Sequence, residues 1–254
     1  MVSKWEPFFY NIHFTVINPS FSQQSWHMPD KKDICALIPA YNESATIASV
    51  VRDTLKYVQK VIVVDDGSMD GTYAIAMGSG AYCLKRERNS GKGEALRYGI
   101  NYIKNFPFHY VVFLDGDGQH RPGDIPSLIR TVQIDKADMV IGARSFIRDQ
   151  MPLERFFSNN IGSKITSMLL GTKILDSQSG FRLIRLDRLK PLRLRAKKYE
   201  IEMEILIKMS LAGCKIAHAP ISMVYGSKHT SKMHPIRDTI RICLWSLLFR
   251  FGGL

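Results

Sequence analysis

The stretch His109-Tyr-Val-Val-Phe-Leu-Asp-Gly-Asp-Gly-Gln-His120 decides how the rest of the chain is read. Tyr110 to Leu114 is a short apolar run of β-branched and aromatic residues, which predicts a strand buried on both faces. Asp115, Asp117 and Gln119 follow at intervals of two, separated by Gly116 and Gly118. On extended backbone, residues two apart point to the same side, so two carboxylates and an amide oxygen can converge on one point. The glycines let the turn open and let a bulky ligand approach the backbone. These hard oxygen donors suit Mg²⁺ or Mn²⁺ and not zinc. Paired carboxylates also repel each other unless a cation or a shared proton intervenes.

Working upstream, apolar runs and polar turns keep alternating. Asp33 to Ile38 predicts a strand ended by Pro39-Ala40-Tyr41-Asn42-Glu43. A helix over about residues 44–58 follows, with Ile47, Val50, Val51, Leu55 and Val58 on its core stripe. Lys60 to Val64 predicts a second strand, and Asp65-Asp66-Gly67-Ser68 comes directly after it. Next are a helix from Asp70, a strand from Ala81 to Lys85, and a helix opened by Asn89-Ser90-Gly91-Lys92-Gly93. Downstream, a helix beginning near Pro122 leads to a strand at Met139 to Gly142 and then to Ala143-Arg144. The alternation predicts a doubly wound, mostly parallel α/β sheet with helices on both faces. On such a sheet PAYNE, DDGS, DGDGQ and GAR all fall at the carboxyl ends of strands, the edge where open parallel sheets bind ligands.

The second half is less regular. Leu153 to Leu170 and Tyr199 to Leu211 read as helices, and Asp176 to Arg182 leads into a short strand. Lys215 to Val224 reads as one strand or a pair. From His234 to Phe251 an amphipathic helix is expected, suited to its own domain or to a bilayer surface. Residues 1–32 form an aromatic, proline-broken arm, so the expected organisation is arm (1–32), main domain (33–233) and C-terminal helix (234–254).

A net charge of +12 calls for an anionic partner: a nucleotide, a nucleic acid or a membrane surface. Arg185, Arg188, Lys190, Arg193, Arg195, Lys197 and Lys198 concentrate part of it, as a solvated face or a membrane-binding one. The four cysteines form no CxxC pair, which fits a reducing cytoplasm and neither a zinc site nor a disulfide framework. No apolar run approaches the roughly 18 residues of a membrane-spanning helix, and no secretory signal is seen.

Other motifs fail on spacing. The Gly91-Lys92 pair lacks the Walker pattern, and no GxGxxG follows the first strand. Asp66, Ser68, Asp70 and Gly71 imitate a calcium loop whose twelfth position is Met77 instead of Glu. No nucleic-acid-binding motif appears, and the basic residues are not interleaved with a stacking platform.

Taken together, Pro39 to Glu43, Val64 to Ser68, Asn89 to Gly93, Asp115 to His120, Gly142 to Arg144 and Ser179 to Arg182 resemble family-2 glycosyltransferases in order and spacing. The likeness spans roughly residues 33–235 and is strongest to the dolichol- or polyprenyl-phosphate hexosyl synthase branch. It implies a GT-A fold. It also implies an inverting, metal-dependent transfer of a hexose from a UDP- or GDP-sugar to a polyprenyl or dolichyl phosphate. By the resemblance, Pro39, Tyr41, Glu43, Val64 and Asp66 would hold base and ribose, with Asp115, Gly116 and Lys232 completing the nucleotide-sugar site. Asp115, Asp117 and Gln119 would bind Mg²⁺ or Mn²⁺. Arg144, Arg155 and Ser158 would receive the acceptor phosphate, with Asp117, Arg144 and Arg155 as the catalytic set. QxxRW, a pattern of sugar-polymerising relatives, is absent.

The chemistry agrees. A metal on two carboxylates neutralises the leaving diphosphate, and an anionic acceptor needs cations to place it and no strong base. The expected setting is peripheral, on the cytoplasmic face of an anionic membrane. A hydroxyl acceptor is the alternative, and it would need a carboxylate base near Asp176 to Ser179. A non-enzymatic membrane- or RNA-binding module would explain the charge but not the carboxylates.

Overall fold

The apolar runs of the first half become strands covered on both faces, as their lack of polar alternation requires. The computed structural model describes residues 28–144 and 153–222, with the backbone alone for 153–159. Lys232, the arm up to residue 27 and the expected helix from His234 lie outside the described residues. β1 (Ile34–Ala40), β2 (Lys60–Asp65), β3 (Tyr82–Lys85) and β4 (Tyr110–Phe113) pair in parallel in the order β3-β2-β1-β4. The sheet continues through β6 (Arg182–Arg185), β5 (Met139–Arg144) and β7 (Ile216–Ile221).

β6 is antiparallel to both of its neighbours, β4 and β5, while β5 and β7 are parallel to each other. The sheet is mostly parallel, as expected, and the one reversed strand has a consequence for the site. Because β6 runs backwards, the segment that precedes it arrives at the same edge as the carboxyl ends of the other strands.

Side chains alternate strictly between the two faces. Cys35, Leu37, Ile62, Val64, Val111 and Phe113 pack with α3 (Lys92–Ile103) and α7 (Ile201–Leu211). Ile34, Ala36, Ile38, Val61, Val63 and Val112 pack with α1 (Ile47–Thr54) and α4 (Ile125–Asp135). α2 (Thr72–Gly78) adds Ala76 to that second layer. α5 (Leu153–Leu170) and the short α6 (Leu186–Leu189) complete the described elements. None of the described helices is long and apolar enough to cross a membrane.

Boundaries move for local reasons. α1 stops at Thr54, whose hydroxyl donates to the Val50 carbonyl at 2.6 Å, although Val58 remains buried beyond it. Pro122–Asp124 forms a 3₁₀ turn, and α4 starts only at Ile125. The basic run is also divided: Arg185 and Arg188 are taken up by Asp138 and Asp187 and hold β6 to β5 and α6.

Candidate active site

The edge defined by the carboxyl ends of β1, β2, β4 and β5 borders a cavity of about 890 Å³. Pro39, Tyr41 and Glu43 line it, as do Asp66, Asp115, Gly116, Asp117, Gln119 and Arg144. One expected member is corrected. Val64 does not line the cavity, because its side chain faces the core and is fully buried. The backbone of Arg155 and Ser158 lies in the first two turns of α5, and their side chains, like Lys232, fall outside the described set.

One wall is built on backbone N–H groups. Ser68 accepts from Asn42 N at 2.9 Å, Thr72 from Glu43 N at 2.8 Å, and Asp70 from Ser44 N at 3.0 Å. The calcium-loop lookalike is thus a set of pins that shapes the turn after β1. Partial burial works against the Asp70 carboxylate, but hydrogen bonds from Thr72 and Ser44 outweigh it and pull the group down to about 2. Asp66 Oδ2 accepts from Ser90 N at 3.0 Å and Gly91 N at 2.8 Å, and its Oδ1 pairs with Arg86. The aspartate expected on the nucleotide therefore also ties β2 to the loop that opens α3.

The carboxylates after β4 form the charged centre. Lys92 Nζ lies 2.6 Å from Asp115 and 2.6 Å from Glu202. Burial disfavours ionised Asp115, but Lys92 outweighs it and holds the carboxyl below its ordinary value. Burial, together with the charges of Asp115 and Glu43, pushes Asp117 up to about 6. Negative charge is therefore in surplus around Asp117, where a cation would be welcome. Asp115, Asp117 and Gln119 offer two carboxylates and an amide on one cavity, and this donor set fits Mg²⁺ or Mn²⁺ with room left for phosphate oxygens. Gly180 lies close beside this centre: a Cβ there would stand 3.0 Å from Lys92 Nζ and 3.2 Å from Asp115 Oδ2 and would push on the ion pair.

Guanidinium groups hold the opposite wall. Arg144 donates from Nε and Nη2 to Asp176, at 2.5 and 2.7 Å, and Asp176 is fully buried. Burial opposes the charge on Asp176, yet Arg144 dominates and keeps the carboxyl below its ordinary value. Arg182, also buried, donates to the carbonyls of Ser179, Ser177 and Glu202 and so pins residues 177–180 onto α7. His120 rests against Phe181, and burial pushes its imidazole down to about 4, so it is neutral.

Lys92, Asp176, Glu202 and the 177–180 segment are the site residues that motif reasoning undervalued. Lys92 is legible as a lysine opening a helix at this edge, but its spacing fits no phosphate-loop pattern and so does not reveal its carboxylate partners. Glu202 depended on where α7 packs, which no local pattern reports.

Residues 35–192 match the family model described as "Glycosyl transferase family 2". The UDP-N-acetylglucosamine–dolichyl-phosphate N-acetylglucosaminyltransferase of Methanococcus voltae is 34% identical over 250 residues, 89% of this chain and 98% of that one. The undecaprenyl-phosphate mannosyltransferase of Micrococcus luteus is 29% identical over 238 residues, 87% of this chain and 97% of that one. Among solved structures, glucosyl-3-phosphoglycerate synthase from Mycobacterium tuberculosis with Mn²⁺ and UDP-glucose superposes with a TM-score of 0.65 at 25% identity, covering 87% of this chain and 79% of that one. The same enzyme with phosphoglyceric acid gives 0.68 at 26%, with 87% and 80% covered.

Proposed function

We propose that this chain, which belongs to glycosyl transferase family 2 and is therefore a glycosyltransferase, moves a hexose from a UDP- or GDP-sugar to the phosphate of a polyprenyl or dolichyl phosphate. Tyr41, Glu43 and Asp66 hold the nucleotide against the pinned wall. Asp115, Asp117 and Gln119 hold Mg²⁺ or Mn²⁺, and Lys92 keeps Asp115 ionised and oriented. When bound, the cation neutralises charge on the departing diphosphate. An acceptor phosphate oxygen attacks the anomeric carbon as the bond to the nucleoside diphosphate breaks, and its electron pair leaves with the diphosphate. Displacement from the opposite face inverts that centre. Arg144 stands at the acceptor end, and Arg155 and Ser158 at the start of α5 complete the acceptor phosphate site.

One observation carries the choice of acceptor. A hydroxyl nucleophile needs a base to take its proton, and the carboxylate that the hydroxyl-acceptor reading calls on is Asp176. Both of its oxygens are engaged by Arg144, and it is buried and held in its weakly basic state. A phosphate monoester arrives already ionised and needs cations alone. Names of relatives support the same reading, since two act on dolichyl or undecaprenyl phosphate.

The test supplies purified protein with UDP- and GDP-sugars, Mn²⁺ and polyprenyl phosphate, following both lipid-linked sugar and free sugar. One sugar per lipid is expected, with none in EDTA. Arg155→Ala should impair transfer by roughly 1.5–3 kcal/mol, the worth of a charged contact, while slow donor hydrolysis and nucleotide affinity persist. Transfer at full rate in EDTA would refute the metal assignment. Equal loss of transfer and hydrolysis in the Arg155 variant would move that residue to the donor side.

A further inference from the structure

Once Arg185 and Arg188 are spent on Asp138 and Asp187, the basic run has a remainder with a definite form. In residues 192–198, Leu192, Leu194 and Ala196 turn inward onto the core, while Arg193, Arg195 and Lys197 are exposed. This period-two alternation puts three cations in a row on one side of the segment. None of the three makes an ion pair among the described residues.

The row is rigidly mounted. Glu204 accepts from Arg195 N at 2.9 Å and from Ala196 N at 2.8 Å. Lys208 and Arg97 donate to the carbonyls of Arg193 and Arg195, and Glu94 N donates to that of Lys197 at 3.1 Å. Gly93 lies so close beneath that a Cβ there would come within 2.5 Å of the Lys197 carbonyl carbon. A merely solvated basic run does not call for a carboxylate, two cations and a glycine to fix its backbone. Directly beyond the row, Lys198 and Tyr199 line the cavity.

We propose that Arg193, Arg195 and Lys197 form a docking row for the anionic headgroups of a lipid bilayer, seating the mouth of the cavity against the membrane. The membrane side rests on the acceptor proposed above, because a polyprenyl phosphate presents its phosphate at a bilayer surface. Each basic side chain near an anionic leaflet contributes a favourable, salt-screened term, and a preordered row loses little entropy on docking.

Sedimentation with phosphatidylcholine vesicles, with and without phosphatidylglycerol, tests the row on the full chain. The variant Arg193→Glu/Arg195→Glu/Lys197→Glu is compared with Lys31→Glu/Lys32→Glu/Arg130→Glu, which changes net charge equally at exposed sites elsewhere. The first should lose at least about tenfold in partitioning onto anionic vesicles at low salt, and the second less than about threefold. A glutamine version of the first set should show the same order of loss if charge reversal perturbs folding. Equal losses in the two sets, or no loss in the first, would overturn the row. Selective loss of RNA retention with vesicle binding intact would also overturn it. Transfer to a short-chain prenyl phosphate in free solution should survive in the row variant. If wild-type protein fails in that reaction, the acceptor reading falls while the vesicle comparison still stands.

Discussion

The wall formed by residues 41–72 and 89–91 is fixed by carboxylates and hydroxyls that accept from backbone N–H groups, whereas the wall formed by Arg144 and residues 176–202 is fixed by guanidinium groups on a buried carboxylate and on carbonyls. The first spreads its stability over many bonds of about 1 kcal/mol each. The second concentrates it, since losing one member strands a buried charge. A wall of the first kind tolerates single losses, and a wall of the second kind does not. Of the carboxylates after β4, Asp115 joins the second wall through the Lys92 link to Glu202, whereas Asp117 pays in stability for its position.

Breaking the second wall should have the largest effect. Asp176→Ala leaves the Arg144 guanidinium, partly exposed at the cavity, without its bidentate partner and should lower the unfolding free energy by roughly 1.5–3 kcal/mol, the worth of a charged contact. Urea denaturation measures this, and a loss below about 1 kcal/mol would show that the pair does not hold the wall.

Asp117→Ala should separate function from folding. Transfer should drop at least about a hundredfold, the loss of one charged contribution to a transition state. Its stability effect has the opposite sign. A carboxyl raised to about 6 stabilises the fold only while protonated, a contribution that is full below about 4 and lost as pH rises through about 6. At neutral pH the variant should therefore be as stable as wild type or slightly more so, and a clear loss in thermal melting would contradict this.

Asp70→Asn tests the first wall and should have the smallest effect, below about 1 kcal/mol, because the group is exposed. Its depressed carboxyl contributes stability above about 4 that disappears as pH falls through about 2. Acid titration of both proteins should show their difference vanish toward the acid limit. A difference that grows on acidification would contradict the assigned hydrogen bonds.

These walls differ in legibility for the same reason that they differ in stability. The first is made of contacts between turns that each follow a recognisable strand, so continuous apolar runs ending in polar turns put Tyr41, Glu43, Asp66, Asp115 and Asp117 on one edge. The second depends on β6 running against the sheet. Hydrophobic pattern cannot report strand direction, so the arrival of Ser177 to Gly180 beside Lys92 was not readable. Glu202 and Lys92 meet only through the packing of α7 on α3. Val64 shows the reverse error: a residue beside a motif whose own side chain belongs to the core.

Whether the acceptor is a phosphate or a hydroxyl is tested most directly by offering both. Purified protein with its preferred nucleotide-sugar and Mn²⁺ would be offered a polyprenyl phosphate and the corresponding polyprenol at matched concentrations. With Asp176 held by Arg144, the phosphate should be glycosylated and the alcohol should react at least about a hundredfold more slowly, the lower range of what a positioned general base contributes. Equal glycosylation of the alcohol would contradict the account and assign the chain to hydroxyl acceptors.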